Sequence, residues 1–129
     1  MRILVAEDDV DDRTLASLAF SELSHPHELE FVQDGQQLID NLRDKLLNKK
    51  PLPDLVLLDL NMPRKDGRTA LKEIKASKDL RQIEVIIFST SSAQEDVQYT
   101  MSLGARNYYV KPSDYTELLQ VCRLISGED

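Results

Sequence analysis

Five short apolar runs, "ILVA" (residues 3–6), "ELEFV" (28–32), "DLVLL" (54–58), "EVIIF" (84–88) and "NYYV" (107–110), alternate with five longer segments in which apolar residues return at helical spacing. Four of the runs are β-branched or aromatic enough to be strands. "DLVLL" qualifies by its flanks, with Pro51 and Pro53 before it and a turn after it. Between the runs, Leu15, Leu18, Ala19 and Leu23 recur at helix spacing. The same holds for Leu38, Leu42 and Leu46, for Leu71 and Ile74, for Val97 and Met101, and for Leu118, Val121 and Ile125. Such strict alternation predicts a parallel sheet with helices on both faces, a (βα)5 doubly wound α/β domain. Gly35 and Gly67 are placed to open the second and third helices, and Gly104 to stop the fourth. The polar stretch "RDKLLNKKPLP" (43–53) extends the second helix and then breaks at its prolines, its basic residues forming a solvated face.

At 129 residues the chain fits one domain, with enough length to bury a core unaided by disulfides or a structural metal. After Ile125 only "SGED" follows, so a single domain over 1–129 with no output domain is expected. The lone cysteine, Cys122, sits in an apolar helical pattern and reads as a small buried hydrophobe. "MRILVAEDD" has too short an apolar run for a signal peptide or a membrane span, and a cytoplasmic location follows by default. A net charge of −7 argues against nucleic acid as a partner, because that affinity comes from clustered Lys and Arg.

Function in an open parallel sheet gathers at the carboxyl ends of the strands. Here the first strand ends in Glu7, Asp8 and Asp9, the third in Asp59, the fourth in "STSS" (Ser89 to Ser92), and the fifth in Lys111 before Pro112. The second ends in the bland "QDG". Each element has an ordinary explanation: Asp8, Asp9, Asp11 and Asp12 as acids of a helix start, Ser89 as a helix cap, Lys111 as a surface lysine. Asp59 is harder to dismiss, since a buried strand drives it to its end. Carboxylates packed there would repel one another unless a cation intervened, and oxygen-only ligands with room for water suit Mg2+.

Four segments, "ILVAEDD", "LVLLDLNMPRKDG", "VIIFSTS" and "GARNYYVKP", resemble the signature segments of receiver domains, the phosphoacceptor modules of two-component response regulators. The match is chemotaxis-regulator-like and spans nearly the whole chain in the right order. It implies a flavodoxin-like fold with strand order 2-1-3-4-5. By the resemblance Asp59 is the phosphoacceptor, and the Mg2+ ligands are Asp8, Glu7 acting mostly through water, Asp59, and Asn61 through its backbone carbonyl. The share of Asp9 stays open. Ser89 matches the switch hydroxyl and Lys111 the lysine that pairs with the phosphoryl group. Tyr108 matches the switch aromatic, and it also fits a static tyrosine at the core edge. The bond before Pro112 is implied to be cis. With the 43–53 insertion, "STSS" and "SLGARNYYVKPSDYTELL" are similar to stand-alone regulators that partner bacteriophytochrome-type kinases.

The function so implied is acceptance of a phosphoryl group from a sensor histidine kinase or phosphotransfer protein, with catalysis confined to the chain's own phosphorylation and dephosphorylation. Output would pass to a downstream protein, or to a second copy through the face built from the fourth helix, fifth strand and fifth helix. A pseudo-receiver that only binds proteins is the main alternative, although every chemical position is filled. A phosphatase of the haloacid dehalogenase type fits less well, because Arg13 and Thr14 stand where that family has other residues after its D-x-D pair. An EF-hand fails because "DVDDRT" lacks the glycine its loop needs.

Overall fold

Each apolar run forms a strand and each helical-period segment a helix. A computed structural model describes residues 1–128, leaving Asp129, the last residue of the "SGED" tail, outside it. The elements run β1 (Arg2–Ala6), α1 (Val10–Ser21), β2 (Glu28–Val32), α2 (Gly35–Leu47), β3 (Leu55–Leu58), α3 (Gly67–Ala76), β4 (Glu84–Ser89), α4 (Gln94–Ser102), β5 (Asn107–Val110) and α5 (Tyr115–Ser126). The strands are parallel and lie in the order β2-β1-β3-β4-β5, the flavodoxin-like order expected from the sequence. Every βα loop therefore opens at the same edge.

Alternation along the central strands divides the core in two. Leu4, Ala6, Val56, Leu58, Val85 and Ile87 join the apolar residues of α2 and α3 on one face. Ile3, Val5, Leu55, Leu57, Ile86 and Phe88 join those of α1 and α5 on the other. β1, β3 and β4 lie between two neighbours and under helices on both sides, which is why they read as unbroken apolar runs.

Two helices depart in part from the stripe that the apolar spacing suggests: α1 turns Ala19 and Leu23 inward as expected but not Leu15 and Leu18, and α4 turns Met101 outward. In α1 the buried residues are Ala16, Ala19 and Phe20, with Leu23 just beyond the helix, while Leu15 and Leu18 are 42% and 49% exposed. In α4 the buried residue is Thr100, and Met101 points outward. The Thr100 hydroxyl donates to the Asp96 carbonyl at 2.8 Å, so the helix itself satisfies the polar group and the side chain can be buried.

Aspartates start four helices: Asp9, Asp34, Asp66 and Asp114 accept backbone N–H groups in the first turns of α1, α2, α3 and α5. The serines of "STSS" do not cap α4, whose N-cap position is Ala93 and which has no side-chain cap. No cis peptide bond occurs among the described residues, so Lys111–Pro112 is trans and not cis as the resemblance implies. Trans is the ordinary preference of a peptide bond before proline.

Candidate functional site

The ladder continues one residue past the strand ends: the Glu7 amide donates to the Val32 carbonyl at 2.9 Å, and the Asp59 amide to the Ala6 carbonyl at 3.1 Å. This sets Glu7 and Asp59 side by side at the carboxyl edge, 4% and 6% exposed. Asp8 remains exposed, yet Glu7, Asp8 and Asp59 each offer a carboxylate oxygen within 4.8 Å of the others. From the far side of β4 comes Lys111, whose amide donates to the Ser89 carbonyl at 2.8 Å. Its ammonium donates to Glu7 Oε1, to Asp12 Oδ2 at 2.9 Å and to Asp59 Oδ2 at 3.2 Å. The second Asp59 oxygen, Oδ1, accepts the Asn61 amide at 3.3 Å.

Burial pushes Glu7 up to about 7, against the hydrogen bond and charge of Lys111. Burial also works against the Lys111 ammonium, but its bonds to Glu7 and Asp12 and the charge of Asp59 outweigh that, and its pKa is raised. Lys111 bonds three carboxylates at once and neutralises no more than one charge among them. The surplus is negative, and the donors are oxygens. That donor set fits a hard divalent cation.

Ser89 ends β4 fully buried, and its Oγ accepts the Ser91 amide at 3.2 Å. Tyr108, half-buried, packs against the α2–α3 side of the sheet and donates its hydroxyl to the Ser91 carbonyl at 2.7 Å. Ser91 Oγ donates to Asp96 Oδ2 at 2.6 Å, and Arg68 of α3 grips both Asp96 oxygens at 2.7 and 2.8 Å. Ser91 thus joins the Ser89 hydroxyl, Tyr108 and the first turn of α4.

The residues singled out in the sequence converge: Glu7, Asp8, Asp59 and Lys111 meet directly, Asn61 through its amide and Ser89 through the Lys111 backbone. The Asp9 carboxylate is taken up as the α1 cap, accepting the Asp11 and Asp12 amides at 2.8 and 3.1 Å, while its own amide donates to Glu7 Oε2 at 3.1 Å. Two acids carry more than the sequence reading gave them. Asp12 turns back one helical turn to reach Lys111, a contact that the run "DDVDD" conceals among equivalent acids. Asp34, within the bland "QDG", is 2% exposed and bonds Arg64.

Doubly wound topology with acids and one lysine gathered at the carboxyl edge defines an α/β module of the flavodoxin-like class, built around a carboxylate–lysine centre. The chain belongs to the response regulator receiver domain family, whose model matches residues 3–123. It is similar to response regulator Rcp1 of Synechocystis sp., 34% identical over 126 residues that cover 97% of this chain and 86% of that protein. Among solved structures it is similar to the phosphorylated cyanobacterial phytochrome response regulator RcpA, with a TM-score of 0.89 and 35% identity over 97% of this chain and 90% of that one. It is also similar to the Mn2+-bound form of Rcp1, with a TM-score of 0.85 and 32% identity over 98% and 91%. The chain is accordingly a receiver of two-component signalling, as its four signature segments suggest. Among the described residues no helix is long and apolar enough to cross a membrane.

Proposed function

We propose that Asp59 accepts a phosphoryl group from a phosphohistidine of a sensor kinase or phosphotransfer protein in the cytoplasm. The observation that carries this reading is the Asp59 carboxylate itself. It is buried at a strand end, its Oδ1 faces the Asn61 amide and its Oδ2 the Lys111 ammonium. An Asp59 oxygen attacks phosphorus, the P–N bond breaks, and its electron pair leaves with the imidazole, giving an acyl phosphate. Glu7, Asp8, Asp59 and the Asn61 carbonyl would hold the cation, proposed to be Mg2+. Bound there, the cation supplies positive charge against the phosphoryl oxygens. That the similar Rcp1 has a Mn2+-bound form supports a divalent ion for this chain, and the oxygen donor set supports its place.

Lys111 holds one phosphoryl oxygen, giving up a carboxylate contact as it does so. The Ser89 hydroxyl donates to another, and Ser91 and Asn61 flank the approach of the water that later restores the carboxylate. Tyr108, tied to Ser91, carries the change to the face of α4, β5 and α5. Val110 and Leu124 leave apolar surface exposed there, suited to a downstream protein or a second copy. Acetyl phosphate with Mg2+ should add one hydroxylamine-labile phosphoryl group, seen by intact mass, and Asp59→Asn should abolish it. Labelling that persists in this variant would refute the assignment. Asp8→Asn should weaken Mg2+ binding and labelling together.

A further inference from the structure

The loop between β3 and α3 holds Arg64 at φ 63, in the left-handed region that disfavours a residue with a Cβ. Its guanidinium bonds one oxygen of the buried Asp34, with Nε at 2.9 Å and Nη2 at 2.5 Å. The other oxygen accepts the Gln37 amide at 2.8 Å and caps α2. An asparagine would cap α2 as well as an aspartate does, so the charge at this position is explained by Arg64 and not by the helix. A second tie lies beside the first: the Gly35 amide donates to the Lys65 carbonyl at 2.8 Å, and a Cβ on Gly35 would collide with that oxygen. The Lys65 ammonium in turn bonds Glu73 of α3 at 2.6 and 2.8 Å.

Between Arg64 and Asn61 stand only Met62, which is buried, and Pro63, whose ring fixes its backbone. The conformation at Arg64 therefore reaches Asn61 with little slack. We infer that Asp34 and Arg64 form a strap, anchored in the neighbouring βα unit, that positions the loop after Asp59 and so sets how tightly the chain holds a divalent cation. The inference rests on the metal reading above, and Asp34 and Arg64 act in it as positioning residues that touch neither metal nor phosphoryl group.

The test is a Mg2+ titration of the full chain, followed by the amide signals of Glu7, Asp8, Asp59 and Asn61, with thermal unfolding on the same samples. Asp34→Asn keeps the side-chain size and the cap, and should weaken Mg2+ by about tenfold, the usual scale for residues that orient metal ligands. Adding Arg64→Gly to Asp34→Asn should move the affinity back toward wild type, because glycine takes the left-handed conformation with no tether. Asp34→Asn binding Mg2+ as wild type does, or the double variant binding as weakly as Asp34→Asn, overturns the strap. A change in melting temperature alone, with affinity unchanged, also overturns it, leaving Asp34 a stabilising residue. If wild type gives no Mg2+ response at Glu7, Asp8 and Asp59, the metal reading fails separately. The strap is then decided by the metal-free spectra: displaced Asn61 and Met62 signals in Asp34→Asn support it, and unmoved signals overturn it.

Discussion

Lys111 is the residue on which most of the centre's electrostatics converge. Its side chain is 10% exposed and its ammonium is shared among Glu7, Asp12 and Asp59, so removing it leaves two buried carboxylates facing each other without the lysine's counter-charge. Lys111→Ala should lower stability by roughly 3 kcal/mol, the cost of breaking a buried pair from one side. Urea denaturation reads this, and an unchanged midpoint would mean that the carboxylates take up protons instead. Labelling should survive in the variant, since the Asp59 oxygen and the proposed cation ligands are untouched. Gly67 is constrained differently: a Cβ there would meet the Asp59 carbonyl and the Leu60 backbone, so Gly67→Ala must displace the strand end that carries Asp59. Cys122 is buried, and burial pushes its thiol up to about 12, so the folded protein should resist thiol-directed alkylation until it is unfolded. Asp59 and Lys111 were legible in the sequence because each follows an apolar run directly. Asp12 was not, because only the pitch of α1 separates it from Asp11.

At the scale of elements, α4 is held less by its own sequence than by its neighbours. It lacks a side-chain cap, has one fully buried residue, and is tied to α3 by the Arg68–Asp96 pair and to the preceding loop by Ser91. Hydrogen bonds and the charge of Arg68 hold the Asp96 carboxyl below the usual carboxylate range. Asp96→Asn should loosen the whole loop for a modest cost of about 1 kcal/mol, because the pair is only partly buried. Tyr108→Phe removes just the hydroxyl bonded to Ser91. It should leave labelling intact while shrinking the amide shifts that beryllofluoride produces in α4 and α5. Identical distal shifts without the hydroxyl would make Tyr108 a static core-edge residue. Strand positions were legible to within a residue or two, since β-branched runs flanked by turns have few other uses. The inward stripes of α1 and α4 were legible only in part. In α1 the spacing found Ala19 and Leu23 but took Leu15 and Leu18 with them, where the sheet accepts the smaller Ala16 and the ring of Phe20, and in α4 it marked Met101 where the sheet accepts Thr100.

At the scale of the whole molecule, the cluster of Glu7, Asp8 and Asp59 and the side chain of His27 lie at opposite edges of the sheet. His27 lies beside the amino edge, edge-on to Phe20 at 5.8 Å between ring centres, with both ring nitrogens buried and unpartnered. Burial, helped by the N-terminal ammonium and His25, lowers its pKa from 6.5, while Glu128 opposes this. The folded chain thus binds this proton more weakly than the unfolded one. Its contribution to stability is complete above 6.5 and is lost as the pH falls below that value toward the folded pKa. His27→Phe should flatten this part of the acid dependence, measured as the difference between denaturation midpoints in neutral and mildly acidic buffer. The carboxyl edge has a further consequence. Its groups come from separate βα units, with Glu7 and Lys111 separated by 104 residues, so a chain cut between β2 and β3 has the centre complete in neither piece. The connection from Asn48 to Pro51 is exposed and feeds the amino end of β3, on the far edge from every one of those groups. A chain severed there would be two inert pieces whose docking rebuilds β1 against β3, and recovered phosphoryl labelling in a mixture of the two would count reassembled molecules.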